Sequence, residues 1–215
     1  FRDLGQYFLP LRLFALEGLR RGELRLWNPL VHEGVPLSLP AVGDPLDLLA
    51  LVVPTDAGVS LVLALHVPIA ALAFLAMARG LSLHPTAAAG GALAYALGGF
   101  LLSTVNLYVY VQAAAWAPLL VLGLAREEPA RERRDLALVA VALALGLAST
   151  GVEVVVQALA VGLVLGRRRF RGPGAAAGAG RLAAAGLLGL AMAAPGLVLV
   201  AGQVGGSARG RGGAA

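Results

Sequence analysis

Few side chains in this 215-residue sequence are able to do chemistry, and the acidic ones crowd towards one end. On the side expected to be outer, Asp3, Glu17, Glu23, His32, Glu33, Asp44, Asp47 and Asp56 fall in the first 56 residues, and Glu153 lies far downstream. Asn106, Tyr108 and Gln157 are the uncharged candidates beside them. Asp3, in Phe-Arg-Asp-Leu-Gly-Gln-Tyr, could act as general base on an acceptor hydroxyl. It could equally be a solvated loop acid, the commoner fate of an isolated aspartate. Glu153 borders Val154-Val155-Val156, one turn before Gln157 on the same helical face. A carboxylate there needs a partner or water, unless it sits at a wet helix end just outside the hydrocarbon. His32 and Glu33 are adjacent in Trp-Asn-Pro-Leu-Val-His-Glu-Gly-Val-Pro. Two neighbouring ligands could share a divalent cation, but no third ligand is evident and the spacing matches no structural metal motif. His66 and His84 fit packing or helix-end hydrogen bonds better than ligation. The sequence has no Cys, so thiolate catalysis and disulfides are excluded. It also holds no Walker-type phosphate loop, no Ser nucleophile elbow and no HExxH.

The elements that must position these residues belong to a lipid environment. Hydrophobic residues make up 59% of the chain and charged residues 13%, with a mean hydropathy of +0.82, about half the charge of an ordinary soluble domain. Runs such as 136–147 and 182–200 contain no charge at all. The pattern predicts an all-α polytopic membrane protein with about six spanning helices, at about 57–78, 86–104, 108–125, 135–149, 152–166 and 182–202. Ser149-Thr150-Gly151 reads as the hairpin tip between the fourth and fifth. Gly90, Ala94 and Gly98 in the second predict close helix packing, and 172–180 reads as a flexible linker.

Charge tests this count. Ten of the 17 arginines, Arg79, Arg126, Arg131, Arg133, Arg134, Arg167, Arg168, Arg169, Arg171 and Arg181, fall in loops that six spans place on one side, which is then the cytoplasmic one. The formal charge of +5 therefore reports topology rather than a nucleic-acid partner, since no aromatic residues interleave the arginines. Residues 1–56, with five arginines against seven acids, are left as an extracytoplasmic loop. Six prolines prevent it from spanning. Residues 7–21 read as an interfacial helix carrying a Glu17–Arg21 pair, with Trp27 anchoring the interface beyond it. The domain reading is thus 1–56 as the outer loop, 57–202 as the helical bundle and 203–215 as the start of a further outer segment. Position 1 is not Met and no signal pattern opens the chain, which predicts that the natural N-terminus is missing.

One ordered series is distinctive: Asp3 with Gln6-Tyr7 and Pro10, Arg21-Gly22-Glu23-Leu24, Trp27-Asn28-Pro29 and Gly34-Val35-Pro36. Ala94-Tyr95-Ala96-Leu97-Gly98-Gly99-Phe100, Asn106 and Ala115-Trp116-Ala117-Pro118-Leu119 continue it. The series resembles the YfhO-like family of bacterial membrane proteins, which is similar to the GT-C superfamily of glycosyltransferases. The resemblance implies a GT-C-like helical bundle in the bacterial cytoplasmic (inner) membrane. It implies transfer of a sugar from a polyprenyl-phosphate donor to a glycan, polymer or lipid acceptor outside the cell. Asp3 would be the catalytic base, and Arg2 or a divalent cation would stabilise the phosphate leaving group. Gln6, Tyr7, Asn28, His32, Glu33, Asn106 and Glu153 would line the substrate cavity. The alternative from another class is a transporter or lipid-handling protein without bond-making chemistry.

Overall fold

A computed structural model describes residues 3–29, 35–36, 43–53, 55–171 and 174–206. The fold is all-α, 84% helical. A π-helical turn, Leu4–Phe8, runs into α1, Leu9–Arg20. Helix α1 ends because Gly22 adopts φ +74 and lets two N–H groups turn back: Gly22 donates to the Leu19 carbonyl at 3.0 Å and Glu23 to the Gly18 carbonyl at 2.9 Å. That pairing is the Schellman closure a left-handed glycine makes cheap. The expected Glu17–Arg21 pair forms at 2.7 Å on the exposed side.

Beyond α1 come two short strands, β1 (Trp27–Asn28) and β2 (Val35–Pro36), paired antiparallel with Trp27 opposite Pro36 and Asn28 opposite Val35. A short 3-10 helix follows at Pro45–Leu51. Asp44 caps it, accepting from Leu46 N–H at 2.9 Å, while Asp47 reaches back to accept from Asp44 N–H at 3.1 Å. Pro45 occupies the first helical position, where a missing N–H costs nothing.

The bundle comprises α2 (Thr55–Gly80), α3 (Pro85–Ala96), α4 (Gly99–Ser103), α5 (Tyr108–Ala125), α6 (Glu132–Ala148), α7 (Val152–Leu165) and α8 (Ala175–Gly206). Among the described residues, four stretches are long and apolar enough to cross a membrane: Ala57–Gly80, Pro85–Asn106, Tyr108–Ala125 and Ala175–Val198. Helix α6, at 17 residues with charges in its first turn, and α7, at 14, fall below that length. Helix α5 is the axis. It is 78% buried along its span, against 28% for Ala57–Gly80 and 22% for each of the other two, so it packs on α2, α6 and α7 while those helices turn outward-facing sides to the surroundings. Leu72, Leu93, Leu97, Val164 and Leu187 stand exposed on those sides, where lipid rather than water is their natural contact.

Small residues let the backbones close around α5. A Cβ at Gly123 would lie 2.7 Å from the Asp135 carbonyl oxygen, one at Gly162 would lie 2.6 Å from Leu124 Cδ1, and one at Gly189 of α8 would lie 2.7 Å from the Ala140 carbonyl oxygen. Leu120, Val121 and Leu124 then fill the space against Val139, Leu143 and Val155. Three expectations need correction. Gly90 has nothing within 4 Å where a Cβ would stand; the bundle side of α3 is instead Ala88, Ala92 and Ala96, with Gly91 against Phe74. The stretch expected as one helix at 86–104 breaks at Leu97-Gly98, where Gly98 is extended. Residues 175–180, expected as linker, open α8, because alanine is the best helix former and outweighs two glycines once α8 docks on α6. The expected hairpin tip is present, with Thr150 at φ 60.

Candidate functional site

Asn106 sits in the 3-10 turn, Thr104–Asn106, that leads into α5. Its side chain clamps the start of the chain. The amide nitrogen donates to Asp3 Oδ2 at 3.1 Å, and the amide oxygen accepts from Leu4 N–H at 3.2 Å. Asp3 is exposed. Its carboxylate is therefore held through Oδ2 while the residue remains open to the surroundings. Gln6 and Tyr7 are exposed on the same π-helical turn, with Tyr7 stacked edge-on against Phe8.

One turn into α5, the Tyr110 phenol interacts with Glu153, in the first turn of α7. Asp3 and Glu153, which are 150 positions apart in the sequence, are thus both engaged by the entry to α5, at residues 106 and 110. The α7 end is drawn close because Gly151 leaves room beside Ala113 and the Val109 carbonyl. Glu153 and Gln157 lie on the exposed side of α7. Asn28 is buried in β1, away from this surface role. Arg2, His32 and Glu33 lie outside the described residues.

Beneath the exposed groups lies a buried polar network. Asp47 Oδ1 accepts from Arg12, from the Tyr108 hydroxyl at 2.9 Å and from Gln112 Nε2 at 3.0 Å. The Arg12 guanidinium also lies over the Tyr108 ring at 3.9 Å, a cation–π contact. Asp44 Oδ2 accepts from Trp116 Nε1 at 2.6 Å and meets His66 Nε2 at 3.3 Å. His66 Nδ1 lies 2.7 Å from the Val62 carbonyl oxygen. A carbonyl can only accept, so Nδ1 carries a hydrogen, and the bond between Nε2 and Asp44 then needs one further proton that the pair holds in common. Arg12, Asp44, Asp47, His66, Tyr108 and Gln112 are all less than 2% exposed.

Burial pushes the two carboxyls upward, with different outcomes. At Asp44 the bonds and charge of His66, with Trp116 and Leu46 N–H, outweigh burial and hold it below the ordinary 3.8. At Asp47 burial wins over the Arg12 charge and the Tyr108 bond, and the carboxyl stays above it.

The network was the part least visible in the sequence. Two signals pointed to it: Asp44-Pro45-Leu46-Asp47 has helix-capping spacing, and Tyr108, Gln112 and Trp116 recur every four residues on one face of α5. Neither says that the two meet. Among the described residues no group of three or more His, Asp or Glu side chains is placed to hold a metal ion.

A cavity of about 310 Å³ lies elsewhere, among Glu127, Glu132, Arg168, Arg169, Arg181 and neighbouring residues. It is at the far end of α5, 18 residues away, or about 27 Å at the α-helical rise. No family model, no curated protein and no solved structure matches this chain.

Proposed function

We propose that the protein is an integral-membrane glycosyltransferase of GT-C type, moving a sugar from a polyprenyl-phosphate donor to an extracytoplasmic hydroxyl acceptor. The observation that carries this reading is the Asp3–Asn106 clamp: an exposed carboxylate fixed by residues 103 positions apart, at the rim of a bundle whose apolar flanks suit a polyprenyl chain. In the reaction the acceptor oxygen attacks the anomeric carbon and its proton passes to Asp3. The bond from that carbon to the phosphate oxygen breaks, and polyprenyl phosphate leaves with the electron pair. Arg2 is adjacent in sequence and supplies the countercharge. Asn106 holds the carboxylate, and Glu153 with Tyr110 forms the neighbouring wall. The bundle spans the bacterial cytoplasmic membrane six times, with α6 and α7 completing the four longer spans and the Arg-rich loops inside.

The test uses membranes containing the full-length protein and a radiolabelled polyprenyl-phosphate hexose. Asp3→Asn should lower donor consumption by about 100-fold or more, the scale of a lost general base. Undiminished consumption would discard the reading.

A second reading is a transporter or lipid-handling protein. It rests on the His66–Asp44 and Arg12–Asp47 pairs, since buried ionisable groups at span edges commonly mark proton or ion paths. Proton release on substrate addition that is lost in His66→Gln but retained in Asp3→Asn would favour it.

A further inference from the structure

The cavity at the Arg-rich end has no part in the reading above and faces a different chemistry. Its lining includes four arginines, Arg168, Arg169, Arg171 and Arg181, against three glutamates. The glutamates are already engaged: Glu132 pairs with Arg181 at 2.8 Å, Glu128 with Arg131 at 2.9 Å, and Glu127 accepts from Arg169 N–H at 3.0 Å. Arg168 and Arg171 have no ion-pair partner among the described residues. Arg169 spends Nη2 on the Arg126 carbonyl, while its Nη1 is buried and meets no acceptor among the described residues. The Arg169 charge also acts on the Asp135 carboxylate, so Arg168 and Arg171 are the cavity arginines left to meet an anion.

Two further observations favour an anion with an apolar tail. The first turn of α8 opens onto the cavity at Gly174, Ala175 and Gly178 and contains no acidic residue, so its free N–H groups add positive potential. Phe170, beside these arginines in sequence, and Val164 and Leu165 just before them are 41%, 61% and 47% exposed, an apolar edge continuous with the outward side of α7. The volume suits a headgroup-sized ligand.

We propose that this cavity binds an anionic phosphate group at Arg168 and Arg171, with the acyl chain along α7 where the source is a lipid. Its source is an anionic phospholipid headgroup or a soluble phosphate, and the experiment separates them. Labelled full-length protein in neutral detergent is titrated with phosphatidylglycerol, with phosphatidylcholine and with inorganic phosphate. Arg168→Ala/Arg171→Ala is compared with Arg133→Ala/Arg134→Ala, a pair of exposed arginines outside the cavity whose loss removes the same charge. All four side chains are exposed, so both variants keep the fold, which the circular-dichroism spectrum checks.

Phosphatidylglycerol should bind more tightly than phosphatidylcholine, and the cavity variant should weaken it by about tenfold or more, the loss expected from charge-assisted bonds. The control should stay within about twofold, since neither of its side chains lines the cavity and exposed charges are screened by salt. Inorganic phosphate binding with the same variant dependence, and no preference between the two lipids, upholds the pocket and assigns a soluble source. Equal weakening in both double variants, or none in either, overturns the proposal.

Discussion

The two ends of α5 are held by opposite means. At its entry, Tyr108, Gln112 and Trp116 are polar or carry a polar tip; Tyr108 and Gln112 bond to Asp47 on the 3-10 helix at Pro45–Leu51, and Trp116 to Asp44, which caps it. At its exit, Gly123 and Leu124 meet α6 and α7 through close backbone approach, and Gly162 and Gly166 make room for Leu124. Directional bonds to charged groups fix one register and fail sharply when a partner is lost. Steric seams tolerate chemistry but not volume. The entry therefore holds a loop in place through polar bonds, whereas the exit relies on close helix packing, with the Arg126–Asp135 pair at 3.2 Å just past its last turn.

The largest test of that contrast is Asp47→Ala. It leaves Arg12 buried without its carboxylate, and the thermal or denaturant midpoint should reflect a loss of about 3–5 kcal/mol. Arg12→Met combined with Asp47→Leu should recover much of it; a double variant as unstable as the single one would show that the pair does more than neutralise itself. Next comes Gly123→Ala, where a methyl 2.7 Å from the Asp135 carbonyl oxygen and 2.9 Å from Val139 Cγ2 should cost about 1–3 kcal/mol by overpacking. Gly90→Ala on the open side of α3 is its counterpart. Nothing lies within 4 Å there, so the substitution should be neutral or stabilise the helix by up to about 1 kcal/mol. If Gly90→Ala destabilises as much as Gly123→Ala, the seam is not where the structure puts it.

A smaller effect concerns pH. Asp44 is held below the ordinary 3.8 in the folded state, so its contribution is present above 3.8 and fades as pH falls through the folded value. Asp47 is held above 3.8; its ionisation opposes folding, and that opposition fades as pH falls through the folded value and is gone below 3.8. The stability gap between the native protein and Asp44→Asn should accordingly narrow on acidification, while Asp47→Asn should lack the opposing component. An Asp44→Asn gap that stays constant between neutral pH and pH 3 would contradict the assignment.

Hydrophobic run length decided a great deal by itself. The helix positions in the bundle, the hairpin tip at 149–151 and the Glu17–Arg21 pair all follow from local spacing, because a helix needs only its own backbone bonds and neighbours three or four residues away. Reach across the chain was not legible in the same way. Nothing near Asp3 announces Asn106, and nothing near Asp44 announces His66 and Trp116, since such partners are chosen by which helices happen to adjoin. The same is true of the glycines. Gly90, Ala94 and Gly98 have the better small-residue spacing, yet Gly123 and Gly189 are the ones in contact. Composition determined that this chain is an apolar helical protein. Only tertiary structure decided which acids are buried, which stay open, and which arginines line a cavity, because burial is a property of neighbours and not of sequence.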